Sequence, residues 1–229
     1  MGHASMGKIM WVDLGRGTIK IESIPDTLYQ KVLSGVGLAA HLLYERIPSG
    51  ADPLGPDNIL GFVSGLLTGT GSLFTGRWMV TGKSPLTGGW GDANCGGNFS
   101  PAIKRCGVDG IFFTGISPRP VYLWADKGRA ELRDATELWG RDTVETEEII
   151  KQQTDGRGLR VACIGPAGEK QSLIAGVAND GGRMAARSGL GAVMGSKRLK
   201  AVALSGGQRI PVHDRETIKT LSQQCNETV

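Results

Sequence analysis

Two glycine-rich segments of this 229-residue sequence hold the side chains best suited to ligand binding. They span residues 76–97 (GRWMVTGKSPLTGGWGDANCGG) and 179–197 (NDGGRMAARSGLGAVMGSK). Glycine lets backbone N–H groups come close to a ligand, and arginine offers a planar fork that suits phosphate or carboxylate oxygens. The polar side chains set among these glycines are Arg77, Lys83, Asn94, Cys95, Arg183, Arg187 and Lys197.

Together these residue types predict a site for a polar, heterocyclic, phosphate-bearing ligand that is held largely by backbone. The alternative is that the glycines only serve tight turns between strands. Neither segment has the GxxxxGK[ST] spacing of a P-loop, and residues 189–195 (GLGAVMG) do not follow the GxGxxG spacing of dinucleotide-binding proteins. The residues alone therefore leave open which ligand of this class binds, and whether the glycines serve a ligand or only tight turns.

The composition narrows the class of protein. A hydrophobic content of 40% and a charged content of 21% are typical of a soluble globular protein. The net charge of +4 is compatible with anionic ligands but too small to predict nucleic-acid binding. No apolar stretch reaches the about 18 residues that a membrane span needs. The four cysteines form no CxxC pair, which argues against a disulfide framework or a zinc or iron–sulfur motif and predicts a reducing, cytoplasmic location.

The elements that must position the first glycine-rich segment follow a simple order. Residues 7–14 and 18–24 show the alternation of two hairpin strands. A single helix is predicted to begin near Asp26 and to end before Pro48. Residues 58–64 (NILGFVS) then predict a buried strand that leads directly into the glycine-rich segment.

A similar order precedes the second glycine-rich segment. Residues 120–135 (PVYLWADKGRAELRDA) predict a hairpin that turns at Lys127 and Gly128. Asp142 and Glu145 form a capping-box pattern at the start of a helix. The apolar face of that helix is predicted to consist of Val144, Ile149 and Ile150. A short apolar strand at residues 159–165 leads to the glycines, and a further strand follows at residues 199–206.

The same series of hairpin, helix, buried strand and glycine-rich segment therefore occurs twice, and we interpret it as an internal duplication of residues 7–118 and 119–208. The alternative is a coincidence of common elements. The predicted fold is α+β, with two packed β-sheets, peripheral helices and a repeated hairpin–helix–strand unit.

The two ends of the chain differ from this pattern. Residues 1–6 (MGHASM) look like a remnant of cloning, and residues 7–208 are predicted to form one ligand-binding domain. Residues 209–229 are predicted to begin a following helical domain that is cut short.

Three stretches closely resemble a known family. Residues 76–97, residues 164–169 (IGPAGE) and residues 179–204 (NDGGRMAARSGLGAVMGSKRLKAVAL) resemble the N-terminal domain of the tungsten-containing aldehyde ferredoxin oxidoreductases. The order of the elements between them is similar as well, and the resemblance extends from about Gly7 to Gly207.

The resemblance implies a cofactor and the residues that contact it. The family's cofactor is tungsten, or molybdenum in the alternative, bound by two pyranopterins whose phosphates are bridged by magnesium. The resemblance also implies a [4Fe–4S] cluster whose ligands do not occur in this chain, and it places no catalytic residue and no metal ligand here. The implied cofactor-binding residues are Arg77, Asn94, Cys95, Gly96, Arg183, Met184, Ala186 and Arg187.

Three of these positions, and the nearby Ser188, depart from the family pattern. Met184, Ala186 and Ser188 stand where alanine, glycine and glycine are expected, and the β-carbon of Ala186 is expected to crowd a backbone contact. Cys95 replaces a small polar residue, and we interpret it as filling space, since the dithiolene sulfurs alone ligate the metal in this family. Arg77, Asn94 and Arg187 match the family pattern.

The activity implied by the resemblance belongs to a longer protein. It is the oxidation of aldehydes to carboxylic acids, with electrons passing through the cluster to ferredoxin, in an enzyme expected to be a homo-oligomer without nucleic-acid or membrane partners. This chain alone is expected to be inactive. Two alternatives stay open: a reductase of the same family that acts on another substrate such as an aromatic acyl-CoA, and a stand-alone, non-catalytic pterin-binding module.

Overall fold

Two six-stranded β-sheets form the centre of the protein in the computed structural model, which describes residues 4–154 and 158–228. The first sheet has the spatial order β2-β1-β6-β3-β4-β5. Its strands are β1 (Lys8–Asp13), β2 (Thr18–Ser23), β3 (Leu60–Ser64), β4 (Trp78–Lys83), β5 (Trp90–Cys95) and β6 (Gly110–Thr114). The second sheet has the order β11-β10-β9-β12-β7-β8. Its strands are β7 (Val121–Asp126), β8 (Arg129–Asp134), β9 (Arg160–Cys163), β10 (Val177–Asn179), β11 (Arg183–Ala185) and β12 (Leu199–Ser205).

The two sheets have the same topology. Read from the opposite edge, the second sheet is β8-β7-β12-β9-β10-β11, which matches the first sheet strand for strand. In each sheet the first strand of the repeat is parallel to the last, β1 to β6 and β7 to β12, and every other neighbouring pair is antiparallel. This confirms the predicted internal duplication and the predicted α+β fold.

Seven α-helices accompany the sheets within the part of the chain that the structure describes. Helices α1, α2 and α4 pack on the outer faces of the sheets, as predicted, whereas the short helices α3 and α6 each contact strands of both sheets. The helices are α1 (Asp26–Val32), α2 (Val36–Arg46), α3 (Phe99–Arg105), α4 (Thr143–Gln153), α5 (Pro166–Glu169), α6 (Leu190–Ser196) and α7 (Arg215–Thr228).

The predicted single helix near Asp26 is in fact two helices. Leu33 and Gly35 have φ angles of 58° and 61°, in the left-handed region, and therefore end one helix and begin the next. Asp26 lies in the first turn of α1 and does not cap it, because Pro25 occupies the cap position.

The cap of α4 was predicted more accurately than its apolar face. The Asp142 carboxylate accepts hydrogen bonds from the backbone N–H groups of Val144 (2.8 Å) and Glu145 (2.9 Å), as the capping pattern predicts. Val144 itself is exposed, which contradicts the predicted face, and the buried positions of the helix are Thr146, Glu147 and Ile150.

The core lies mainly between the sheets. Phe62, Trp78 and Phe113 of the first sheet belong to the same buried cluster as Leu123 and Val202 of the second. Each large apolar side chain that is buried in this way stabilises the fold by roughly 1.5–3 kcal/mol relative to exposure. The two halves are therefore one packed unit, and the relative position of the sheets is fixed.

Two fully buried lysines anchor the equivalent helices α3 and α6. Lys104 donates to the carbonyl oxygens of Ala4 (2.5 Å) and Leu66, and Lys197 donates to the carbonyl oxygen of Gly115 (3.1 Å). Burial lowers the pKa of each lysine to about 8. We interpret both as structural ties between a helix and a neighbouring loop.

The last helix, α7, is the helix predicted beyond residue 209. Asp214 caps it through a 2.9 Å hydrogen bond from the backbone N–H of Thr217, and none of its described residues is buried. In the described part of the chain, no helix is both long enough and apolar enough to cross a membrane.

Candidate ligand-binding face

The two glycine-rich segments meet at the edges of the sheets. The first segment forms the β4–β5 hairpin and the second contains β11 and α6, so both are mostly regular structure and not open loops. Strands β5 and β11 are equivalent edge strands of the two repeats, and they lie beside each other. Ser188 ties the segments together, since its hydroxyl donates to the Asp92 carbonyl (3.1 Å) while its own carbonyl accepts from Ser84 Oγ (2.8 Å).

We call the surface at this junction the ligand face. The family resemblance implies eight residues for cofactor binding, and the ligand face comprises all of these except Cys95. Six of them are exposed, Gly96 is half-buried and Cys95 is buried. The exposed six are Arg77, Asn94, Arg183, Met184, Ala186 and Arg187.

Arg77 and Asn94 form one unit on the ligand face. Arg77 directly precedes β4 and Asn94 lies in β5, and Arg77 donates from Nε to Asn94 Oδ1 at 2.8 Å and also from Nη2. The guanidinium group is thereby held in one orientation, with further N–H donors left for a ligand. Arg183 reaches the same region from the other repeat, because a Cβ built on Gly96 would lie 3.9 Å from its Nη1 atom.

The remaining predicted residues are less closely joined. Met184, Ala186 and Arg187 follow Arg183 along β11 and the turn after it. In residues 4–154 and 158–228, no hydrogen bond or salt bridge joins the side chains of Met184 or Arg187 to the Arg77–Asn94 unit. Ala186 is exposed, so its β-carbon is itself part of the ligand face.

Cys95 points away from the ligand face. Its thiol donates to Asn179 Oδ1 at 3.1 Å in the interior. Burial raises the pKa of the Cys95 thiol, and the positive charges of Arg77 and Arg183 oppose that increase only in part. A neutral, buried, hydrogen-bonded thiol agrees with the interpretation that Cys95 fills space.

Sequence reasoning missed the polar residues beneath this face. Asp180 accepts from the backbone N–H of Asn98 through Oδ2, while its Oδ1 atom is buried without a hydrogen-bond partner among the described residues. Glu147 accepts from the backbone N–H of Gly181 at 2.9 Å. Asn179 and Asp180 open the second glycine-rich segment, but nothing in the local sequence indicates that their side chains reach across to the first repeat.

The ligand face fits an anionic, polar-edged group. Three arginines lie on it, and none of them forms a salt bridge within the part of the chain that the structure describes. Unpaired guanidinium groups suit phosphate oxygens, and the half-buried Gly96 leaves backbone open to close approach.

Comparison with known proteins identifies the family. A family model described as "Aldehyde ferredoxin oxidoreductase, N-terminal domain" matches residues 9–206. The chain belongs to the aldehyde ferredoxin oxidoreductase family. It is 43% identical to the tungsten-containing aldehyde ferredoxin oxidoreductase of Thermococcus kodakarensis, over 93% of this chain and 35% of that protein. It is 41% identical to the enzyme of the same name from Pyrococcus furiosus, over the same shares of the two chains.

A solved structure agrees with the fold. The chain superposes with a TM-score of 0.96 and 36% identity on a structure of the active site complex BamBC of benzoyl coenzyme A reductase in complex with 1,5-dienoyl-CoA, and the match covers 99% of this chain and 35% of that one. The predicted family membership is thus confirmed. This chain spans about a third of the length of the relatives that it matches.

Proposed function

We propose that this chain forms the base on which a tungsten, or molybdenum, bis-pyranopterin cofactor lies in a larger oxidoreductase. The observation that carries the proposal is the meeting of β5 and β11, which brings an oriented Arg77–Asn94 unit and Arg183 from the two repeats to one exposed face. The tungsten in the names of the relatives supports the choice of metal.

The residues of the chain would bind and orient the cofactor. Arg77, Arg183 and Arg187 would contact polar ring edges and phosphates, and magnesium would share in balancing the phosphate charge. Asn94 would keep the Arg77 guanidinium group in place, and Gly96 would let backbone lie against a flat ring. The cofactor, when bound, supplies two-electron redox chemistry, while the protein supplies position and electrostatics.

The reaction that we propose for the whole enzyme is the oxidation of an aldehyde to a carboxylic acid, with water supplying the added oxygen atom. It releases two protons and two electrons, and the electrons would pass through a [4Fe–4S] cluster to ferredoxin. The cluster ligands and the acid–base residues would lie outside this chain, which alone would be inactive. We propose a cytoplasmic enzyme that is a homo-oligomer at full length.

A second function is favoured by the structural comparison. The chain matches the benzoyl coenzyme A reductase complex with a TM-score of 0.96, so a domain of this fold is also part of an enzyme named for an aromatic acyl-CoA. A non-catalytic pterin-binding module is the third alternative, because the ligand face contains no catalytic residue in our assignment.

Substrate assays of the full-length, metal-loaded protein separate these functions. We expect oxidation of short aliphatic or aromatic aldehydes with an artificial low-potential electron acceptor. Reduction of an aromatic acyl-CoA by a strong reductant, without aldehyde oxidation, would replace the first function by the second. Inactivity in both assays, despite full metal and pterin content, would favour the binding module.

A further inference from the structure

A buried polar network joins the two repeats directly beneath the ligand face. We call it the inter-repeat clamp and define it as Glu147, Asn179 and Asp180 of the second repeat. Its partners are backbone and side-chain groups of residues 95–98, at the end of β5 in the first repeat, and the turn that follows β10.

Asn179 uses both ends of its side-chain amide on the first repeat. Its Oδ1 accepts from Cys95 Sγ at 3.1 Å, and its Nδ2 donates to the carbonyl oxygen of Gly96 at 3.2 Å. Asn179 is fully buried at the end of β10, so neither contact can be exchanged for water without opening the structure. Asn179 thus holds the Cys95 side chain in the interior and fixes the orientation of the Gly96 carbonyl group.

Asp180 holds the following residues. Its Oδ2 accepts from the backbone N–H of Asn98 and lies against Gly97, where a Cβ atom would come within 2.3 Å of it. Asp180 itself has a φ of 45°, an uncommon backbone conformation that its contacts must stabilise.

Glu147, which lies on helix α4, is the member of the clamp that holds the turn carrying Asp180. Its Oε2 accepts from the backbone N–H of Gly181 at 2.9 Å, and its Oε1 lies 2.5 Å from Lys151 Nζ. The side chain of Glu147 is only 6% exposed, so the turn that carries Asp180 rests on a buried and charge-paired group. The clamp is therefore anchored in the core of the second repeat.

We propose that Asn179 and Asp180 are positioning residues, which hold residues 95–98 of the first repeat in the conformation that binds the cofactor. Cofactor affinity then depends on the two repeats being joined at this point, although neither side chain contacts the cofactor. The inference rests on the proposed function, because it assumes that Asn94 and Gly96 meet the pterin.

The test compares four variants of the full-length protein. Asn179→Leu removes both amide contacts at similar size, and Asp180→Ala removes the acceptor of the Asn98 N–H. Asp180→Asn is the conservative variant, since it keeps an acceptor and tolerates positive φ. Asn58→Leu is the matched control, because Asn58 is an equally buried amide that bonds to Pro53 and Lys83 away from residues 95–98.

Two quantities are measured in each variant: the amide hydrogen exchange of residues 95–98 in cofactor-free protein, and the tungsten retained by loaded protein after dialysis. We expect Asn179→Leu and Asp180→Ala to accelerate the exchange and to increase the loss of tungsten, each by about tenfold or more. Asp180→Asn should stay close to wild type in both. Asn58→Leu should lower stability without changing either quantity.

Unchanged exchange in Asn179→Leu and Asp180→Ala would overturn the positioning role. Faster exchange with unchanged tungsten retention would also overturn the inference, since the conformation of residues 95–98 would then not matter for the cofactor. Wild-type protein without tungsten, molybdenum and pterin would instead reject the proposed function, and the inference with it.

Discussion

Gly97→Ala should destabilise the chain by about 2–4 kcal/mol and abolish cofactor retention. Gly97 has a φ of +104°, which L-residues rarely adopt. A β-carbon there would lie 2.3 Å from Asp180 Oδ2, 3.0 Å from Asn179 Nδ2 and 3.1 Å from Arg183 Cδ. The substitution therefore strains the backbone and pushes the two repeats apart at the ligand face. Urea unfolding measures the first effect, and the tungsten content of the full-length variant measures the second.

The control for this prediction is Gly88→Ala. Gly88 lies in the turn between β4 and β5 with a φ of +73°, but no atom beyond its chain neighbours lies within 4 Å of the position that a β-carbon would take. Gly88→Ala should therefore lower the free energy of unfolding by about 1–2 kcal/mol through backbone strain alone, and its tungsten content should be unchanged. Equal losses of stability and tungsten in the two variants would show that the close approach of Asp180 to Gly97 has no consequence.

Glu169→Gln should lower the free energy of unfolding by about 3–5 kcal/mol, the largest loss of stability that we expect. Glu169 Oε1 pairs with Lys200 Nζ, and both side chains are almost completely buried. Lys200 also donates to the Arg141 carbonyl (2.8 Å), and Glu169 Oε2 accepts from the Gly140 N–H (2.8 Å). Removing one charge leaves the other buried without compensation. The measurement is the free energy of unfolding from urea titration.

An exposed pair provides the comparison. Glu145 lies 3.8 Å from Arg141, with about half of each side chain in solvent, so Glu145→Gln should cost only about 0–1 kcal/mol. The double variant Glu169→Leu with Lys200→Met should recover much of the loss, because no lone charge remains. A loss in Glu169→Gln no larger than in Glu145→Gln would refute the argument.

The ion pair of Glu169 with Lys200 also gives a structural role to one of the three stretches that resemble the family. Residues 164–169 (IGPAGE) do not lie on the ligand face as we define it, and their glutamate ties α5 to β12. The motif therefore serves the fold of the second repeat. A resemblance alone does not tell whether a motif serves the fold or binds a ligand. For residues 164–169, the buried ion pair of Glu169 with Lys200 indicates that the motif serves the fold.

Local patterns predicted most of the elements correctly. The two hairpins follow from alternating apolar residues, and the turn at Lys127 and Gly128 follows from the preference of glycine for positive φ. The duplication could be predicted because the same order of elements occurs twice. The break at Leu33 could not, because it depends on how α1 and α2 pack on the first sheet.

The glycine-rich segments show the limit of reasoning from composition. Their glycines serve two purposes that the sequence does not distinguish. Gly195 permits close packing of helices, since its β-carbon would lie 1.9 Å from the Gly168 carbonyl oxygen, while Gly96 is half-buried on the ligand face. The packing role of Gly195 was predicted neither by the ligand interpretation nor by the alternative of tight turns, and the ligand interpretation stays a prediction. The inter-repeat clamp escaped prediction because side-chain hydrogen bonds between residues over 80 positions apart leave no local pattern.

The most direct test of the account is the tungsten and pterin content of the full-length protein, measured for wild type, Arg77→Ala and Arg16→Ala. Arg77 is oriented by Asn94 on the ligand face, whereas Arg16 is a highly exposed arginine in the β1–β2 turn. We predict that wild type and Arg16→Ala contain both components and that Arg77→Ala retains about a tenth or less, as expected for the loss of a charge-assisted contact. Wild-type content in Arg77→Ala, or none in wild type, would contradict the claim that this face binds the cofactor.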